Sequence, residues 1–368
     1  MSVINRINRL RGLMDERNYD ACLLRDVASL RWLTGAVRVF DNETAHTALI
    51  TKDNLWFHTD SRYFNALSEK LGPETPWVLD MEIIDGPAWA ANHLKKLGSH
   101  AVAIEDTLPV GFLDEFEYQM NRASGACLLP RLHGDIFEMR AVKDTEELKT
   151  LQKAQDITDD TFAHMCSYIK VGMTEMEIRA ELEHYMFSNG ADALSFDTIV
   201  ASGPNTANPH AKPGNRVVQE GDFVLMDYGA GLEDYHADMT RTVVMGAPSA
   251  KQQEIYDIVR HAHEACAKAV QIGKTGKEIH ELAVKIISDA GYGDYFKHGL
   301  GHGVGIDIHE EPRFSMKDTH KLQAGNVVTI EPGIYLPGYG GVRLEDCGVI
   351  TENGYEPFTK STHDLVVL

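Results

Sequence analysis

The sequence predicts an α+β protein of two domains, the second of which repeats itself. Three observations lead there. At 368 residues the chain is too long for one ordinary core, so two domains are expected. Helical and strand-like patterns alternate up to about residue 137, which predicts an α/β N-terminal domain with its own sheet. Beyond that point one order of helix, turn, helix and acid-bearing strands occurs twice.

Residues 4–18 carry apolar side chains at helical spacing and predict an amphipathic helix. Short apolar runs follow at Ala21–Leu24, Thr47–Thr51 and Leu55–His58. The segment 60–63, Asp-Ser-Arg-Tyr, reads as the cap and first turn of a helix running toward Leu71, with no catalytic role. Near residues 139–143 the pattern changes. Asp144-Thr-Glu-Glu147 forms a capping box that opens a long helix, with Leu148, Leu151, Ile157, Phe162 and Met165 as candidate buried residues. The domains are therefore expected at 1–137 and 138–368.

Within the second domain, segments 171–178 and 272–279 share a glycine turn, a threonine N-cap, a glutamate three residues on and an apolar anchor. Each begins a helix that stops at a glycine, Gly190 and Gly291. A pseudo-two-fold repeat follows. Asp227 lies in segment 221–229 and Glu331 in segment 325–333, each six residues after one glycine and two before another. Both segments are apolar and rich in β-branched residues, so each reads as a buried strand that delivers one carboxylate to an interior point. A second acid follows in each half, Asp238 and Glu345.

A single acid is usually a solvated surface group. Four that converge at strand ends would repel one another and take up protons unless cations neutralised them. Between them lies segment 298–309, His-Gly-Leu-Gly-His-Gly-Val-Gly-Ile-Asp-Ile-His, too glycine-rich for a helix and read as loop and strand with close backbone approach. His302, between two glycines, is the least obstructed metal ligand, which leaves His298 and His309 for outer roles. His261, His263, His280 and His320 read as hydrogen-bonded or surface residues. Carboxylates with one imidazole make a hard to borderline ligand set that suits manganese, cobalt, iron or zinc.

Composition narrows the function classes. A formal charge of −20 argues against nucleic-acid and anionic-membrane partners, which need a basic surface. The five cysteines are scattered and never spaced Cys-x-x-Cys, so a reducing cytoplasmic compartment is expected rather than disulfides or a zinc knuckle. No stretch reaches the roughly 18 apolar residues of a membrane span, and the N-terminus lacks the unbroken apolar core of a signal peptide.

Asp227, Asp238, His302, Glu331 and Glu345 have the order and spacing of the ligands of the dinuclear metallopeptidases with the pita-bread fold. The chain resembles the proline peptidases among them, the Xaa-Pro dipeptidases (prolidases) and aminopeptidases P. Local matches are Asp197-Thr-Ile-Val-Ala-Ser-Gly-Pro-Asn with His210 downstream, Asp238-Met-Thr-Arg-Thr, Gly301-His-Gly-Val-Gly with His309-Glu-Glu-Pro, Glu331-Pro-Gly and Arg343-Leu-Glu-Asp. They span about residues 139–360. The preceding residues resemble the creatinase-type N-terminal domain.

The resemblance implies two divalent ions per subunit, manganese ahead of cobalt, zinc or iron. Asp227 would chelate one and His302 with Glu331 the other, while Asp238 and Glu345 bridge. A hydroxide between the ions would attack the carbonyl before proline, in dipeptides or at peptide N-termini. Glu331 would relay the proton, and His210 and His309 would contact substrate and oxyanion. His298 and Arg343 match further active-site positions and are expected to bind substrate, the guanidinium being expected also to orient Glu345. Arg313 matches an arginine of some prolidases and would take the free carboxylate of a dipeptide; a surface loop arginine is the equal alternative.

Proline peptides are thus the implied partners, together with a second copy of the chain in a homodimer. Aminopeptidase P activity on longer peptides is the runner-up, and the loop at 36–44 is where the two should differ. Methionine aminopeptidases usually lack the arginine and following aspartate of Arg343-Leu-Glu-Asp, and creatinase works without metals. A metal-free peptide-binding pseudoenzyme is the alternative of another class, disfavoured because all five ligands are intact.

Overall fold

The computed structural model describes residues 2–41, 45–82, 84–124 and 127–368. They form two compact units, 1–140 and 141–368. Helix Asp135–Ala141 contains both this division and the expected boundary at 137/138.

The first unit holds a five-stranded mixed sheet in the order Val78–Asp80, Leu55–His58, Thr47–Thr51, Ala21–Leu24, Val102–Ile104. Ala21–Leu24 pairs antiparallel to Thr47–Thr51 and parallel to Val102–Ile104. Helix Val3–Arg17 is capped by the Ser2 side chain and ends at Asn18 in the left-handed region, a conformation asparagine tolerates better than most residues. In segment 60–63 the Asp60 side chain accepts from the backbone N–H and side chain of Arg62 and its carbonyl from Phe64 N–H at 3.1 Å, which leads into the regular helix from Phe64.

Glu105, 2% exposed, anchors helix Val27–Thr34. One of its oxygens, Oε2, accepts from the N–H groups of Arg25 and Asp26 at 3.0 and 2.9 Å. Burial pushes its pKa up to about 7, against the lowering effect of those two bonds. The folded state therefore holds a proton that the unfolded chain releases near 4.5. That stability is full below 4.5 and lost as pH rises through 7. Glu105→Gln keeps both bonds on one carbonyl oxygen. It is expected to raise unfolding free energy by roughly 2 kcal/mol at pH 8 and to leave it unchanged below pH 4.5. Urea unfolding at the two pH values measures this, and an equal effect at both contradicts it.

In the second unit, Asp144 and Glu147 form the expected capping box on helix Thr145–Tyr168. Leu151, Phe162 and Met165 are buried, and Leu148 and Ile157 are partly so. The repeat is plain in the backbone. Helices Glu175–Ser188 and Gly276–Asp289 both start on threonine capping boxes. The first packs Ile178, Leu182 and Met186 with Val224 and Met226; the second packs Ile279, Ala283 and Ile287 with Val328 and Ile330. Each half contributes a sheet, one ordered Met239–Val244, Phe223–Tyr228, Ile199–Ser202, the other Glu310–Phe314, Gly301–Gly303, Val327–Ile330, Asp346–Thr351, Gly354–Pro357. The Glu345 N–H donates to Thr240 O at 3.1 Å and Thr242 Oγ1 to Arg343 O at 3.0 Å, which joins the halves. No helix of the described residues is long and apolar enough to cross a membrane.

Candidate metal centre

The four acids sit where strands end or begin. Asp227 is the fifth residue of Phe223–Tyr228, and Asp238 immediately precedes its partner Met239–Val244. Glu331 immediately follows Val327–Ile330, and Glu345 immediately precedes Asp346–Thr351. Pairing in register, Thr240 opposite Asp227 and Ile330 opposite Asp346, brings each half's acids to one end of its sheet. Backbone N–H groups and apolar side chains are used up by the ladders and cores, so carboxylates are left to face the interior.

His302 reaches the same place on strand Gly301–Gly303. A Cβ on Gly301 would lie 2.1 Å from Thr329 O and one on Gly303 2.2 Å from Glu311 O. Only glycine permits strands this close on both sides of the histidine. The His302 N–H donates to Thr329 Oγ1 at 3.1 Å. Its Nδ1 lies 3.1 Å from Gly303 O, an acceptor only, so Nδ1 carries the proton and Nε2 a lone pair. That lone pair points at acceptors, Asp238 Oδ2 and Glu331 Oε1, both 3.5 Å away.

Lone pairs do not attract one another, and the electrostatics show the cost. Burial, then the charges of Glu345, Asp227 and Glu331, hold the Asp238 pKa far above the usual carboxylate range. Burial, then Glu331 and Asp227, do the same to Glu345, and Glu331 is raised chiefly by burial. Burial and then His309 press His302 down to about 3. Asp227 Oδ1 is buried without a hydrogen-bond partner among the described residues. Ligand atoms of Asp238, His302 and Glu345 lie within 4.8 Å of one another. Unprotonated nitrogen and carboxylate oxygens facing one buried point are what a divalent cation requires, so the residues fit the metals that the resemblance implies.

One cavity of about 550 Å³ is lined by all ten expected site residues: Asp227, Asp238, His302, Glu331, Glu345, His210, His298, His309, Arg313 and Arg343. Two of them are placed differently from expectation. Arg343 was expected to orient Glu345, yet its Nη2 pairs with Asp227 Oδ2. Nε donates to Thr240 Oγ1 at 2.9 Å and Nη1 to Tyr335 Oη at 3.0 Å and Pro209 O at 3.2 Å. It touches Glu345 only through Thr240, which donates to Glu345 Oε2 at 2.6 Å. His298 has both nitrogens engaged, Nδ1 on Gly299 O at 2.7 Å and Nε2 on Tyr335 Oη at 3.0 Å. Both residues therefore shape the site through their neighbours. Thr240 and Thr329 lie inside segments that the sequence marks, but their roles, like that of Tyr335, depend on partners 105, 27 and 37 residues away.

His210 and His309 are exposed on the cavity wall, with the His309 ring 4.4 Å from that of His302. Arg313 keeps 40% of its side chain exposed, and its Nη2 donates to His309 O at 3.1 Å.

Residues 149–352 match the model of metallopeptidase family M24, and residues 6–142 match that of the creatinase/prolidase N-terminal domain. The chain is 35% identical to an Xaa-Pro dipeptidase of Pyrococcus horikoshii over 367 residues, covering 100% of each. Among solved structures it is similar to an Xaa-Pro dipeptidase from Bacillus anthracis (TM-score 0.92, 36% identity, 100% of each chain). It is also similar to an X-Pro aminopeptidase from Thermotoga maritima (TM-score 0.86, 32% identity, 99% of this chain and 100% of that one).

Proposed function

Because the chain belongs to metallopeptidase family M24, with a creatinase/prolidase domain preceding the pita-bread domain, we propose that it cleaves the Xaa-Pro bond of dipeptides. The observation that carries this reading is the bare Nε2 of His302 set among buried carboxylates in a cavity. Asp227, Asp238, His302, Glu331 and Glu345 would hold two divalent ions, with manganese the first candidate. Bound there, such ions supply a water acidified toward neutral pH and polarise the scissile carbonyl.

The remaining work falls to side chains. Glu331, at the cavity wall, accepts the nucleophile's proton and relays it. His210 and His309 donate hydrogen bonds to the substrate and to the negative charge that develops on its carbonyl oxygen. Arg343 fixes the Asp227 carboxylate, and Tyr335 and His298 hold Arg343 from behind. Proline has no N–H for a general exopeptidase to grip, which gives a dedicated site its purpose.

Arg313 favours a dipeptide. Its guanidinium, partly exposed on the cavity wall with Nε 3.7 Å from Glu311 Oε1, would supply a cation for the carboxylate of a C-terminal proline. Arg313→Ala is expected to lower kcat/KM for an Xaa-Pro dipeptide by roughly 10- to 100-fold, chiefly through KM, the equivalent of a charge-assisted hydrogen bond. An Xaa-Pro-Xaa tripeptide should change by less than about threefold. Equal losses on both substrates would remove Arg313 from recognition. The X-Pro aminopeptidase likeness supports the second reading, in which the tripeptide is the better substrate throughout. Of the loop expected to divide the two activities, residues 42–44 lie outside the described residues. A reducing cytosol, in keeping with the five free cysteines, and a homodimer complete the proposal.

A further inference from the structure

His263 is a buried imidazole that the metal centre does not use. It lies on helix Ala250–Ala269 and is 0% exposed. Each ring nitrogen is either a donor or a lone pair, yet neither has a hydrogen-bond partner among the described residues. The nearest acceptor is Asp346 Oδ2, 3.5 Å from Nε2. The same oxygen lies 2.7 Å from His363 Nε2, and the two imidazole rings stand edge to face with centroids 4.7 Å apart. One ligand atom from each of the three residues falls within 4.8 Å of the others. An open cavity of about 290 Å³, lined in part by Asp346, Ser361, His363 and Asp364, borders the cluster on the side of Asp346 and His363.

We infer that His263, Asp346 and His363 form a further cation site, separate from the five-ligand centre, that takes one borderline divalent ion, Zn²⁺ above others. Two imidazole nitrogens and one carboxylate oxygen are a borderline donor set, and a cavity water completes four-coordination. A tetrahedral ion at about 2.0–2.1 Å from each ligand wants its ligands about 3.3 Å apart. The His263–Asp346 spacing already fits. The His363–Asp346 spacing opens by about 0.6 Å as their direct contact is replaced by two metal bonds. Outer partners are in place: Asp346 Oδ1 accepts from Arg241 Nη2 at 2.7 Å, and Glu264 Oε1 lies 3.8 Å from His363 Nδ1, an orientation that leaves Nε2 for the ion. Arg241 also donates to Glu345 O at 2.6 Å. Occupancy of this site therefore bears on the placement of the neighbouring Glu345 carboxylate.

The test is metal content. Chelator-stripped full-length protein is dialysed against Zn²⁺, and bound zinc is measured for the wild type, His363→Ala and His363→Gln. His363 keeps 32% of its side chain exposed, so either change spares the core. The wild type should retain one equivalent more than each variant. In zinc-soaked wild-type crystals an anomalous peak should stand between His263 and His363, a reading that needs no variant. Equal zinc in all three proteins, or no peak at the cluster, overturns the inference. Because the content is read as a difference, the result holds whether the five-ligand centre takes two ions or none.

Discussion

Asp238→Asn is expected to lower kcat/KM for an Xaa-Pro dipeptide by about 10³-fold, about 4 kcal/mol of transition-state stabilisation, while raising the thermal stability of the metal-free protein. The two effects have one cause. Asp238 is 4% exposed and lies among Glu345, Asp227 and Glu331, whose charges together with burial make its ionised form costly. The neutral amide has almost the same shape and removes that cost. The stripped variant should gain roughly 1–2 kcal/mol, which is a few degrees in melting midpoint for a unit of this size. The metal-loaded proteins should rank the other way, because an amide is a poor replacement for a carboxylate that would hold a divalent ion. Melting curves with and without manganese separate these cases. A variant less stable than wild type in both states would show that Asp238 is a packing residue.

Arg343→Lys should reduce kcat/KM by roughly 10- to 100-fold, the usual effect of losing a ligand's outer partner. Arg343 is 3% exposed, and its guanidinium joins four groups at once: Asp227, Thr240, Tyr335 and the Pro209 carbonyl. An ammonium keeps the charge but cannot present donors in that planar fork. The loss should appear in kcat and in metal affinity, with the KM for dipeptide changing little. A change confined to KM would mean that Arg343 binds substrate directly.

The parts of this site that were legible in the sequence are those written locally. Glycine-bounded apolar segments marked Asp227 and Glu331, and paired threonine capping boxes marked the repeat, because strand ends and helix starts are set by residues a few positions apart. What escaped depends on distant pairing. Arg343 meets Asp227 across 116 residues, and His298 meets Tyr335 across 37, so neither side chain's direction could be read from its own motif. His263 illustrates the same limit. Read as a hydrogen-bonded or surface histidine, it is instead fully buried with both nitrogens unpartnered among the described residues, a property that arises only when helix Ala250–Ala269 packs beside Asp346 and His363.

The most direct measurement is hydrolysis of a matched Xaa-Pro dipeptide and Xaa-Pro-Xaa tripeptide by chelator-stripped protein, before and after manganese is restored. No cleavage is expected without metal, and manganese should restore cleavage of the dipeptide, with the tripeptide slower. Cleavage by the fully stripped protein, or none of either substrate after two equivalents have bound, would contradict this expectation.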